Sequence, residues 1–173
     1  MKHLLTITDR DITGTDKLSN RPPRIAVSAI LFDESGEIAV TYMSKFSLYS
    51  IPGGGVDKGE SLQAALHREL REETGCACEI ISELGYIINN CAEIDYVHNR
   101  YYYIARVVGN KGPLGLTQEE LDRGMSIKWM TIEDALAEIS RPREEYREKF
   151  IQKRDIAAIN AAMSAMEDKN FIV

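Results

Sequence analysis

Glu69, Glu72 and Glu73 fall at i, i+3 and i+4 within a stretch of helical periodicity, 62–74. At 100° per residue from Leu62, the apolar Ala65, Leu66 and Leu70 point to about 300°, 40° and 80°, while the three glutamates point to about 340°, 280° and 20°. The carboxylates therefore continue the apolar face instead of lying opposite it, beside Arg71 and Ala64. Three like charges so spaced repel one another, and burial against a sheet makes each costlier. Either their pKa values rise or a cation sits among them. Oxygen donors without His or Cys on the same face select a hard ion, Mg²⁺ or Mn²⁺ before Zn²⁺. Arg68 can relieve part of the repulsion at Glu72, one helical turn on. A purely structural acid cluster is the alternative reading.

The elements around the helix must hold it against a partner. Gly53-Gly54-Gly55 opens backbone conformations closed to other residues and lets main-chain groups approach a ligand closely. Followed by Glu60 and the acidic helix, the triplet reads as one wall of a site whose floor is the helix. Ser61 is the expected N-cap and Gly75 the C′ residue. Upstream, 25–32 is an apolar, β-branched run that reads as a buried strand, 33–36 as a turn, and 37–43 as the returning strand of a hairpin. A further short strand ends at Ile51. Downstream, 78–89 and 96–108 read as long strands, 109–115 as a loop with three glycines and a proline, and 126–130 as another strand. Thr131 caps a helix over 132–139, and Pro142 introduces a long one over about 144–167. Within it Ile156, Ile159, Met163 and Met166 form an apolar seam, read as core packing with a homodimer contact as the alternative.

A length of 173 residues suits one domain, 1–173, with a short N-terminal segment, 1–23, set off by Pro22-Pro23. Such a chain buries roughly 70% of its unfolded surface and needs no staple. With 21 basic and 27 acidic side chains the net charge is −6, which argues against a nucleic-acid polymer as partner but permits a small phosphate ligand held through cations. No stretch approaches the ~20 apolar residues of a membrane span, and no signal peptide is visible, so a cytoplasmic protein is expected. An odd cysteine count, Cys76, Cys78 and Cys91, fits a reducing compartment.

Gly54, five residues, Glu60, seven residues, then Arg68-Glu69-Leu70-Arg71-Glu72-Glu73-Thr74-Gly75-Cys76 is similar to the Nudix box. A chance match at its nine constrained positions is on the order of 10⁻⁷ for a chain of average composition. The lead-in Tyr49-Ser50-Ile51-Pro52 and the order of elements over about 24–139 resemble the family too. Cys76 is a mild departure, standing where the family usually has an aliphatic residue. The resemblance implies an α/β/α sandwich around a mixed β-sheet. It implies Mg²⁺-dependent hydrolysis, with Mn²⁺ as substitute, of a nucleoside diphosphate linked to another moiety. By position, Glu69, Glu72 and Glu73 would bind metal with the Gly53 carbonyl as a further ligand, Arg68 would orient the glutamates, and Glu60 would stand behind them or serve as an outer ligand. Gly54 and Gly55 would approach the substrate, a small-molecule nucleotide.

For the base that activates water, the resemblance points to a glutamate on a loop before a strand bearing tryptophan. Here Glu119 and Glu120 precede Trp129, Glu120 is slightly favoured, and Glu69 is the other candidate. The competing reading makes 117–120 the start of a short helix with Thr117 and Glu120 as a capping box. Phe46 and Tyr49 are candidate platforms for a nucleobase, as is one of Tyr101–Tyr103, although sheet packing is the simpler role of those tyrosines. Cys76 and Cys78 read as core, and His67 as solvated. The proline or tyrosine that marks some ADP-ribose and dinucleoside polyphosphate subfamilies is absent at Cys91 and Ala92, although Tyr96 is close, and no extended coenzyme A motif is visible. A nucleoside triphosphate or modified nucleotide is therefore ranked ahead of a nucleotide sugar or dinucleoside polyphosphate. A non-catalytic nucleotide sensor and an isomerase of an allylic diphosphate are the rival readings.

Overall fold

After Pro23 the apolar run forms β2 (Arg24–Phe32), buried on both faces from Ala26 onward. A strand with two buried faces belongs inside a sheet covered on both sides. In the computed structural model, which describes residues 1–169, β2 lies parallel to β6 (Tyr96–Val108) along its whole length. Next to β6 runs the antiparallel β5 (Ala77–Cys91), and next to that the parallel edge strand β1 (His3–Thr8). β3 (Ile38–Met43) flanks β2 on the other side and carries both β4 (Leu48–Ser50) and β7 (Met125–Met130). The sheet is thus mixed, with seven strands.

The expected hairpin of β2 and β3 is reduced to one pair, Phe32 with Ile38, after which β3 swings away to run beside β7. The edge of β2 that β3 vacates still needs hydrogen-bond partners. The glycine segment supplies them: the Val27 amide donates to the Gly54 carbonyl (2.9 Å), Ala29 to Pro52 (3.3 Å), and Val56 to Ile25 (3.0 Å).

Helix α2 (Leu62–Thr74) covers one face, packing Ala65, Leu66 and Leu70 on Val27, Ala29, Leu31, Tyr103 and Ala105. On the other face, α4 (Ile132–Ile139) and α5 (Tyr146–Lys169) pack Ile132, Ile139, Phe150, Ala158 and Ile159 on Ile30, Phe32, Val40, Tyr102 and Ile104. This is the α/β/α sandwich. Ile159 is buried and Ile156, Met163 and Met166 pack against the same core, so the apolar seam of α5 faces the sheet. Cys76 and Cys78 belong to the core beneath α2; His67 is exposed, its Nδ1 3.3 Å from the Cys78 thiol. Two short helices complete the described residues, α1 (Asp9–Ile12) and α3 (Gln118–Asp122). No described helix is long and apolar enough to cross a membrane.

Candidate active site

α2 starts where the Ser61 hydroxyl accepts the Ala64 amide (3.1 Å) and ends at Gly75, whose φ of +71° closes the helix. The face continuing its buried leucines carries Glu69, Glu72 and Glu73 to the glycine segment. Glu73 is 7% exposed and accepts the Gly53 amide at 2.6 Å. Burial pushes its carboxyl up to about 8, against the Gly53 hydrogen bond, and the charges of Glu69 and Glu120 add to the rise. Glu69 is raised as well, chiefly by burial, with Arg68 opposing. Two glycines make this approach feasible. A Cβ on Gly54 would collide with the Glu69 carboxylate, and one on Gly53, at φ +133°, with the Val27 carbonyl and the Ser28 backbone.

Arg68 ties the acids together. Its Nη1 donates to Glu69 (2.7 Å) and Glu72 (3.4 Å), its Nη2 to the Gly55 carbonyl (2.9 Å), and Nε with Nη2 grips Glu60 at 3.0 and 2.9 Å. Glu60 is held below its ordinary pKa by that fork. Among the described residues no three acidic, histidine or cysteine side chains are gathered closely enough to hold a metal ion as they stand.

Arg68, Glu69, Glu72, Glu73 and the three glycines line a cavity of about 390 Å³; Glu60 stands behind Arg68 and does not line it. Its mouth is completed by α3, brought there by 109–115: the Gly112 amide donates to Gly75 (2.8 Å) and Gly115 to Glu72 (2.7 Å). Lys111 pins the same segment, with Nζ 3.5 Å from the Trp129 ring centre and 2.6 Å from Asp33. Glu120 lines the cavity and forms the capping box with Thr117 (2.7 and 2.8 Å), the competing sequence reading of this residue. Glu119 turns outward to Arg123, its side chain 75% exposed, and does not line the cavity.

The two aromatic platforms also lie off the cavity. Thr41 and Ser50 face it, so strand alternation sends Tyr49 to the opposite side, stacked on Tyr42 at 4.6 Å. Phe46 sits exposed in a one-turn 3₁₀ segment. The Gly53 carbonyl, expected to face a metal, accepts Arg100 Nη1 at 3.1 Å.

Arg100, Arg123 and Arg154 line the cavity and were not legible as site residues from local pattern. A signal existed. Arg100 shares its strand face with Tyr102 and Ile104, where an apolar residue is expected, and Arg154 lies one turn from Phe150 and Ala158 on the buried stripe of α5. Arg154 is 4% exposed and pairs with the fully buried Asp155. Asp155 in turn accepts the Ser50 hydroxyl (2.7 Å), the Ile51 amide (3.1 Å) and the Tyr102 hydroxyl (3.1 Å).

Residues 22–152 match the model of the NUDIX domain. The chain belongs to the Nudix family. Among curated Nudix relatives, an RNA pyrophosphohydrolase of Dinoroseobacter shibae is 35% identical over 72 residues, 40% of this chain and 45% of that protein. A putative 8-oxo-dGTP diphosphatase of Bacillus subtilis is 38% identical over 56 residues, 32% of this chain and 38% of that protein. The chain thus spans less than half the length of either curated relative. A NUDIX hydrolase structure from Nitrosomonas europaea superposes with a TM-score of 0.64 at 19% identity, covering 83% of this chain and 90% of the other, and shares the fold.

Proposed function

We propose that this Nudix protein is a pyrophosphohydrolase dependent on a divalent cation, cleaving the phosphoanhydride of a nucleoside diphosphate linked to another moiety. A nucleoside triphosphate or modified nucleotide is the leading substrate class. The carrying observation is the gathering of Glu69, Glu72, Glu73 and Glu120 on one cavity that also holds arginines. An all-oxygen donor set with two carboxyls raised by burial fits a hard cation, which would lower both pKa values. Glu69, Glu72 and Glu73 would hold Mg²⁺ or Mn²⁺. An ion held by these residues would supply positive charge for the phosphate oxygens and a lowered pKa for water.

The chain's own groups do the rest. Arg68, clamped by Glu60, keeps Glu69 and Glu72 at the cavity wall, and the Gly53 amide keeps Glu73 there. Glu120 takes the proton of the attacking water, with Glu69 as the other acid placed for this role. Of the curated relatives, the putative 8-oxo-dGTP diphosphatase supports a modified nucleotide as substrate, whereas the RNA pyrophosphohydrolase is named for RNA.

A screen of nucleoside triphosphates, 8-oxo-dGTP, nucleotide sugars and dinucleoside polyphosphates with Mg²⁺ and with Mn²⁺ tests the proposal. Release of phosphate, pyrophosphate or nucleoside monophosphate is expected. Tight binding of several compounds with turnover of none would make the protein a nucleotide sensor instead.

A further inference from the structure

Glu120 stands where its own charge resists it. It shares the cavity wall with Glu69, Glu72 and Glu73, and after burial the neighbouring carboxylates, Glu120 among them, push the pKa values of Glu69 and Glu73 upward. Its carrier, α3, has five residues, far short of the ~12–15 at which a helix holds by itself in water. Ties from outside must keep it in place. After α3 the Lys45 and Ser44 amides donate to the Arg123 (3.3 Å) and Gly124 (3.2 Å) carbonyls, and before it the Gly112 and Gly115 amides donate to Gly75 and Glu72 at the end of the glutamate helix. Ahead of these glycines comes Lys111, whose bond to Asp33 is the one ion pair among the described residues that joins 109–123 to the rest of the protein. Both partners of its ammonium are fixed. Asp33, its side chain 7% exposed, gives Lys111 one oxygen at 2.6 Å and accepts the Ser35 amide and hydroxyl and the Glu37 amide with the other. Trp129, its ring centre 3.5 Å from the ammonium, packs on the core that α2 covers. Lys111 precedes α3 and Trp129 follows it, so their contact closes the excursion 112–128 at its base. Closure there takes freedom from everything the excursion carries.

We infer that Lys111 is a positioning residue for Glu120: by clasping the base of 112–128 to the core beneath α2, it holds that carboxylate at the cavity wall against the repulsion of Glu69 and Glu73. For turnover, the inference rests on the pyrophosphohydrolase reading with Glu120 as the base. Against burial, the bonds from Lys111 and Ser35 hold the Asp33 carboxyl down at about 2, so the clasp stays charged over the pH range of an assay. A change in the acidic limb of the rate profile therefore belongs to Glu120 and not to titration of the clasp.

The test uses the full chain and its Lys111→Met and Lys111→Arg variants, the second keeping a cation that pairs with a carboxylate and stacks on an indole. Without metal or substrate, amide exchange followed by NMR should be faster by about tenfold or more at Gly112 and Gly115 in Lys111→Met and near wild type in Lys111→Arg. The Val27 and Ala29 amides of the central strand should not change, which marks the effect as local. With GTP and Mg²⁺, kcat should fall roughly 10- to 10²-fold in Lys111→Met while KM moves by less than about twofold, because a displaced base costs rate and not binding. The acidic limb of the pH–rate profile should flatten, and Lys111→Arg should restore both rate and limb. In a Glu120→Gln background Lys111→Met should slow the reaction little further, since the two residues act through one carboxylate. The inference is overturned if Gly112 and Gly115 exchange alike in the wild type and Lys111→Met, or if Val27 and Ala29 accelerate with them, which would mark a general loss of stability. It is also overturned if the rate losses of Lys111→Met and Glu120→Gln multiply in the double variant. If the wild type hydrolyses neither GTP nor any other compound of the screen while Gly112 and Gly115 still accelerate in Lys111→Met alone, the clasp stands and the hydrolase reading falls.

Discussion

Replacing Asp155 by Asn tests how the C-terminal helix holds the site. The Asp155 carboxylate is fully buried and accepts five hydrogen bonds, from Ser50, the Ile51 amide, Tyr102 and twice from Arg154 at 2.8 and 3.2 Å. Asn keeps the volume but leaves one acceptor oxygen and removes the counter-charge of Arg154, itself 4% exposed. Breaking one side of a buried ion pair costs about 3–5 kcal/mol. In a chain of this size each kcal/mol moves the melting temperature by about 2–4 °C, so a fall of roughly 6–20 °C is expected. Calorimetry and urea titration of the metal-free protein measure it. The double variant Arg154→Met with Asp155→Leu removes both charges but leaves the Ser50 hydroxyl, the Ile51 amide and the Tyr102 hydroxyl without their acceptor, so it should be no more stable than the single variant. A loss below about 1 kcal/mol in Asp155→Asn, or a double variant as stable as the wild type, would refute this central role of Asp155.

Glu72→Gln and Glu73→Gln should each lower turnover by orders of magnitude and weaken Mg²⁺ binding in a calorimetric titration, while the metal-free variants melt no lower than the wild type because repulsion and burial cost are relieved. Unchanged Mg²⁺ affinity in both would remove them from the metal site. Glu120→Gln should abolish the acidic limb of the pH–rate profile with a drop of ~10²-fold or more, whereas Glu119→Gln should do nothing to rate; equal, near wild-type profiles would pass the base role to Glu69. His98 lies 6% exposed, and burial with the nearby arginines depresses its ring to about 2. The unfolded chain therefore takes up a proton below pH 6.5 that the folded one refuses, so stability is lost as pH falls, by about 2 kcal/mol between pH 6.5 and 5. His98→Asn should flatten that slope in urea titrations over the same range, and an unchanged slope would assign it to other groups.

Legibility in the sequence followed the range of the interaction. The helix 62–74, its Ser61 cap and its glutamate face depend on neighbours within four residues, and the structure reproduces them residue for residue. The same holds for Thr131 before α4 and for the Thr117–Glu120 box. What escaped depends on which strands meet. Nothing near Phe32 announces that β3 will leave β2 after one pair, because the competitor, Pro52–Val56, lies twenty residues on. Tyr49 looked like a platform because it precedes the glycines, yet the parity of β4 against β3 sends it to the other face. Tyr102 and Asp155 meet across 53 positions of sequence.

The glycine segment fills the vacated edge of β2 as a strand would, through Val27, Ala29 and Val56. Catalytic loops usually belong to the least protected part of a protein, but this one is a rung of the central ladder. In hydrogen exchange the amides of Val27, Ala29 and Val56 should open only with the sheet, at the slow global rate. The segment is therefore unable to act as a lid. The facing segment, 109–123, is tied down by fewer bonds of this kind: the Gly112 and Gly115 amides donate to the Gly75 and Glu72 carbonyls, the Lys45 amide donates to the Arg123 carbonyl, and Lys111 sits between Asp33 and Trp129.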